Sequence, residues 1–195
     1  MPNTSATGGP LLPSSSAPSD DDALVDFLNA VIAGITGLSG TLIRPRWQER
    51  PPPLPPVGTT WMATGIGTRS GDTFPEVEHD PDGEGADNLN QHEEFVLDCT
   101  FYGPAAQSTA TLLRDGLNIA QNREVLDTNG VKFIATGPMP NTPEVVNQRW
   151  LMRTDMPITF RREVGRTYPV LNIIEAVGTV VTDVPARSVP FDTDD

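Results

Sequence analysis

"HEEFVLDCTFYG", residues 92–103, decides the fold. Phe95, Leu97, Cys99 and Phe101 fall on one parity, and Glu94, Val96, Asp98 and Thr100 fall on the other. A period of two is what a strand shows when one face meets a core and the other does not. Pro104 follows, a residue favoured at the first position of a helix because a helix start leaves its N–H groups unpaired anyway. Leu112, Leu113, Gly116, Leu117 and Ala120 then supply an apolar stripe. A strand with one apolar face, followed at once by a helix with one apolar stripe, predicts a helix packed on a sheet.

Working outward, "DDDALVDFLNAVIAGITGLSG" carries Leu24, Phe27, Leu28, Val31, Ile32, Ile35 and Leu38 at helical spacing. Aspartates at its start complement the helix dipole, and Gly37 or Gly40 can end it, so a helix is predicted over 22–37. Residues 41–46 and 59–67 read as strands on either side of a proline-rich segment. Residues 68–92, rich in Gly, Asp, Glu and Pro, read as a long exposed loop. "VKFIAT", 131–136, is a short strand. In "WLMRTDMPITFRRE", 150–163, Trp150, Met152, Met156, Ile158 and Phe160 are expected on one face, and Arg153, Asp155 and Arg161 on the other. Pro157 has no N–H to give a ladder, which places part of this strand at an edge or bulge. "VLNIIEAVGTVV", 170–181, reads as the last strand.

The order α-β-β-β-α-β-β-β, without internal repeats, implies an α+β fold: a mostly antiparallel mixed sheet with two helices packed on one face and extended N- and C-terminal arms. Residues 1–22, ending in Asp20-Asp21-Asp22, hold too little apolar surface to fold alone and read as an arm, flexible or bound by a partner. Residues 23–183 form the single domain, with the proline-rich strut at 44–56 and the acidic loop at 68–92. Residues 184–195 read as an acidic tail.

The chain has 195 residues and a net charge of −13, too acidic to seek nucleic acid phosphates by bulk attraction. Such a charge suits solubility, or the lining of a passage to which DNA must not adhere. The single cysteine, Cys99, excludes an internal disulfide and a cysteine-based zinc site. No apolar run approaches the ~20 residues of a membrane span. The start, Met1-Pro2-Asn3-Thr4-Ser5, lacks a basic region followed by an apolar one, so no secretion signal is expected. Twelve arginines stand against one lysine, Lys132. Arginine's planar fork suits contacts between chains, although arginine-favouring codons explain the same skew.

A search for chemistry finds little. There is no Gly-x-Ser-x-Gly, no phosphate-binding glycine loop and no His-Glu-x-x-His. No nucleophile, base and oxyanion site assemble, so no catalytic residues and no cofactor are assigned. "DPDGEG", 80–85, matches the first half of a calcium loop through Asp80, Asp82 and Glu84, but position 12 is Gln91 and not glutamate. These three acids are weak metal candidates, and a small acidic calcium- or ligand-binding module built on 68–92 is the alternative reading. His79 and His92 read as solvated bystanders.

Charge is uneven along the chain. Between Arg69 and Glu94 stand nine acids and one arginine; from Arg149 to Arg166 stand five arginines and two acids. Asp72, Glu76, Glu78, Asp80, Asp82, Glu84 and Asp87 are the acids expected to face a lumen or a partner. A subunit with separate acidic and basic regions can pair head to tail with its own copies. The interface candidates are Arg44, Arg46, Trp47, Arg50, Pro53, Pro56, Arg153, Arg161 and Arg162, since Trp and Arg dominate the energetics of contacts. "RPPPLPP", 50–56, has the spacing of a polyproline ligand but lies between strands, which favours a stiff spacer.

The motifs "RPRWQ…PPP", "FYGPAA", "LRDGLNIAQN", "NQRWLMRTD" and "YPVLNII", taken in order, resemble phage neck or tail terminator proteins from about Leu24 to Val181. That resemblance implies a virion protein without enzymatic activity. It implies α/β subunits that form a homo-oligomeric ring, a hexamer, at the neck/tail junction. Its partners would be copies of itself, the tail tube protein and a head-completion or adaptor protein. DNA would pass through the lumen without specific binding, no membrane would be involved, and the subunits would be made in the host cytoplasm.

Overall fold

In the computed structural model, residues 3–56, 58–146, 148–172, 177–183 and 186–192 are described. The elements in order are α1 (Asp21–Thr36), β1 (Ile43–Pro45), β2 (Trp61–Gly71), β3 (Glu76–Asp80), β4 (Ala86–Tyr102), α2 (Ala106–Leu117), α3 (Ala120–Thr128), β5 (Val131–Thr136), β6 (Glu144–Val146), β7 (Arg149–Leu151), β8 (Arg153–Tyr168), β9 (Val177–Asp183) and β10 (Ala186–Asp192). They fall into two compact units. The larger holds residues 17–75 and 91–164; the smaller holds 1–16, 76–90 and 165–195.

The fold is α+β, with a six-stranded mixed sheet. Along the path β1-β2-β4-β8-β5 the β1–β2 pair is parallel and the β2–β4 and β8–β5 pairs are antiparallel, and β3 pairs antiparallel with β4.

In the larger unit, the alternation at 92–103 does what its period requires. Phe95, Leu97 and Phe101 are fully buried, and Cys99 is nearly so. They meet Met62 of β2, Met156, Ile158 and Phe160 of β8, and Leu24, Leu28, Ile32, Leu113, Leu117 and Leu126 of the helices, in one core. Each such side chain contributes roughly 1.5–3 kcal/mol by leaving water. Burial pushes the Cys99 thiol far above its ordinary range, so it is a core residue and not a reactive one. α1 ends as predicted: Gly37 takes φ 71° and its N–H reaches the Ala33 carbonyl at 2.9 Å. Asn29 on α1 accepts a 2.6 Å hydrogen bond from the Thr64 hydroxyl, tying α1 to β2.

Several expectations are corrected. Among the described residues there are three α-helices, not two, because the run after Gly116 turns at Asn118 and restarts as α3, which buries only Leu126 and so shows no stripe. Pro104 lies in the turn before α2 and not in its first position; the helix starts at Ala106. Trp150 and Met152 do not share the buried face of Met156, Ile158 and Phe160, being 71% and 47% exposed. Trp150 sits instead in the short β6–β7 pair, where period-two alternation from β8 does not carry over. Pro157 stands where the β5 ladder stops: the last pair is Thr136 with Ile158, and its carbonyl accepts from the Gly137 amide at 2.8 Å.

The smaller unit overturns the expected loop at 68–92. β2 runs on to Gly71, and β3 pairs with residues 86–90 of β4 from Glu76↔Asn90 to Asp80↔Ala86. A ribbon wet on both faces needs no apolar alternation, so its sequence looks like loop. Its turn, 81–85, uses Gly83 at φ 63° and Gly85 at φ 92°. Asn172 clasps this turn: its amide nitrogen donates to the Pro81 carbonyl at 2.7 Å, and its backbone N–H to the Glu84 carbonyl at 2.8 Å. The N-terminal arm is held by its own chain, through Ser14 N–H to the Thr167 carbonyl at 2.8 Å and Leu171 N–H to the Ser5 hydroxyl at 2.7 Å. The expected last strand at 170–181 is β9 at 177–183, with 173–176 outside the described residues, and the expected acidic tail contains β10, paired with β9.

Candidate functional site

The helices cover one face of the sheet in the larger unit. The side chains of opposite parity point to the other face, and there the aromatic and arginine residues gather. Trp61 on β2 and Tyr102 on β4 are directly paired in register. Their rings stack at 4.4 Å between centroids and 15° between planes. Arg44 of β1 lies over Trp61 at 5.5 Å, and Arg153 of β8 lies over Tyr102 at 6.0 Å. The result is a four-layer stack, Arg44–Trp61–Tyr102–Arg153, contributed by four strands. The ring pair stabilises by roughly 0.5–1.5 kcal/mol beyond its buried area, and each cation adds roughly 0.5–1 kcal/mol at such a partly exposed place.

Beside the stack runs a polar chain. The Arg46 guanidinium donates to the Thr100 hydroxyl, which donates to Asp155 at 2.7 Å. Thr142 and Arg153 donate to the same carboxylate at 3.0 and 3.1 Å. Arg153 also pairs with Glu144, and Arg46 lies 3.8 Å from Asp98. Thr100 is fully buried, which is tolerable for a hydroxyl that both accepts and donates here. Burial alone would raise the Asp155 pKa; the hydrogen bonds from Thr100, Arg153 and Thr142 outweigh it and hold the carboxyl below its usual range.

Trp47 ends this cluster. It adopts a left-handed φ of 58°, unusual for a large side chain, and is 72% exposed. Its ring lies across Gly65 of β2: a Cβ at that glycine would stand 2.6 Å from the ring. The proline strut is braced from the same side, since Arg44 donates to the Pro53 carbonyl at 2.7 Å. Between the strut and the β6–β7 pair opens a groove of about 720 Å³. Leu54, Pro56, Trp61, Trp150 and Met152 line it, with Arg149 as the one charged residue among the described lining residues.

Of the expected interface residues, Arg44, Arg46, Trp47 and Arg153 meet on this face, and Arg50, Pro53 and Pro56 are exposed on the strut. Arg161 lies apart, 4.0 Å from Glu94. Arg162 is turned inward on the helix side, 7% exposed, where it donates to Glu93 at 2.6 Å and also binds Asp20 and the Ser19 carbonyl. It joins two strands to the entry of α1. Burial would raise Asp20, but its bonds to Arg69 and Arg162 prevail and lower it.

The acids behave differently. Asp72 accepts from the His92 amide at 2.9 Å. Asp80 accepts from the Asp82 amide at 3.0 Å, and Asp87 pairs with His79 at 2.7 Å. Among the described residues, no three of His, Cys, Asp and Glu converge as metal ligands, and Asp80, Asp82 and Glu84 lie at the turn between β3 and β4. Asp72, Glu76, Glu78, Asp82 and Glu84 pair with no lysine or arginine among the described residues, whereas most arginines of the larger unit are matched within it. Sequence reading missed Trp61, Tyr102 and the buried role of Thr100. The signal was present, because Tyr102 continues the parity of Asp98 and Thr100. No helix is long and apolar enough to cross a membrane among the described residues.

These features define a class: an α+β structural protein whose sheet offers a stiffened, aromatic and arginine-bearing face. The chain belongs to the family of phage neck terminator proteins, whose model matches residues 22–184. The family is structural and non-enzymatic, and membership makes this a neck and tail protein of a phage virion, with partners there. No curated protein matches the chain.

Proposed function

We propose that the protein forms a ring, a hexamer, that caps the tail tube, joins it to a head-completion protein and leaves a channel for DNA. The observation that carries this reading is the helix-free face. Its strut is pre-stiffened by proline and by the Arg44 bond to Pro53, so docking costs little ordering entropy. Trp47 and Trp150 stand exposed beside it as anchors. The ribbon acids Glu76, Glu78, Asp82 and Glu84 lack basic partners among the described residues, and acids facing a lumen repel DNA phosphates so that the genome slides. The ribbon contacting the tube or the head-completion ring is the other use of those acids.

The test is native mass measurement of the purified chain with and without tail tubes. Rings on tubes, or free rings, support the proposal. A chain that stays monomeric and leaves tube ends bare refutes it.

A further inference from the structure

We propose that copies join head to tail by a plug and a socket: Phe74 of one copy seats in the groove between the proline strut and the β6–β7 pair of the next. This deepens the ring reading and rests on it, since it requires copies to meet.

The socket is apolar and aromatic, holds about 720 Å³, and carries one charge, Arg149, which has no acidic partner among the described residues. No acid lines it. In a chain of net charge −13 that is a distinctive place, and it calls for an apolar group flanked by acids. "GDTFPEVE", 71–78, has that chemistry. Phe74 is 90% exposed, the most exposed large apolar side chain among the described residues. Pro75 stiffens the tip, while Asp72, Glu76 and Glu78 flank it in sequence and pair with no lysine or arginine among the described residues.

Phe74 does not reach the groove of its own chain. Trp61 lines the groove at one end of β2, and Phe74 follows the other end, Gly71, by three residues. Ten strand steps separate Trp61 from Gly71, roughly 33 Å at about 3.3 Å per residue. The plug and the socket are different surfaces, so the contact is heterologous and generates a ring if the rotation closes.

The test introduces cysteines next to the anchors and leaves the anchors in place: Thr73→Cys in one full-length chain and Met152→Cys in another. Cys99 is buried and does not compete. Mixed under mild oxidation at a concentration where native mass shows assembly, or on tail tubes, the two should form a disulfide-linked heterodimer that neither chain forms alone. Phe74→Ala should weaken self-association by about tenfold or more. Assembly without the cross-link overturns the plug and socket and leaves the ring reading standing. Absence of assembly, both in isolation and on tubes, overturns both.

Discussion

The two faces of the sheet in the larger unit are made by alternate residues of the same strands, yet they are built on different principles. The helix side is sealed by Phe95, Leu97, Phe101, Met156 and Ile158, all fully buried. Its free energy comes from apolar area, which is non-directional and tolerates repacking. The free side has Trp61, Tyr102, Arg44, Arg46, Arg153 and Asp155 held by stacking and hydrogen bonds of fixed direction. Each bond there adds modestly to stability, but together they hold aromatic and guanidinium groups in one orientation. One face keeps the chain folded; the other holds a stiff aromatic and arginine surface, the one the proposed ring would use for contact.

The comparison breaks first on the core side. Phe101→Ala should cost roughly 3–5 kcal/mol by emptying a packed site, read as the shift in a urea midpoint at constant slope. A loss below about 1 kcal/mol would mean that the helix side is not the stabilising one. Next is Asp155→Ala, which strips Thr100, Thr142 and Arg153 of their common acceptor. It should cost roughly 1–3 kcal/mol because the buried Thr100 hydroxyl is left with an unmet donor. Asp155→Asn should recover part of that loss.

Acid provides a milder probe of the same network. Asp155 and Asp20 both have carboxyls depressed in the folded state. Their contribution is present above the unfolded carboxylate pKa, about 3.9, and is lost as pH falls through the lower folded values. Urea midpoints should therefore drop in wild type between pH 5 and pH 3, and drop less in an Asp20→Asn, Asp155→Asn double variant. Smallest in stability is Trp47→Ala, expected within about 1 kcal/mol of wild type because the side chain is mostly exposed and alanine, which keeps the Cβ, leaves the left-handed backbone cost unchanged. Ring yield should fall nonetheless, as measured by native mass.

The core side was legible because its signal is local. Four residues at period two, and six more at helical spacing in α1, suffice to mark it. The free side was half legible. Arg44, Arg46, Trp47 and Arg153 stand out by type, but Arg162 has the same type and faces inward, and only register tells them apart. Trp150 and Met152 share the parity of the core residues but precede the strand that sets it. The ribbon of the smaller unit was read as loop because its one apolar cross-strand pair, Val77 with Leu89, makes no alternation, and α3 was missed because one buried leucine makes no periodicity.

In the proposed assembly the free face and its groove meet another protein. Hydrogen exchange on the free chain and on the assembled neck tests it most directly. Protection gained at 44–56 and 144–152 on assembly is the predicted result. Exchange unchanged in both segments, with protection arising elsewhere, would contradict it.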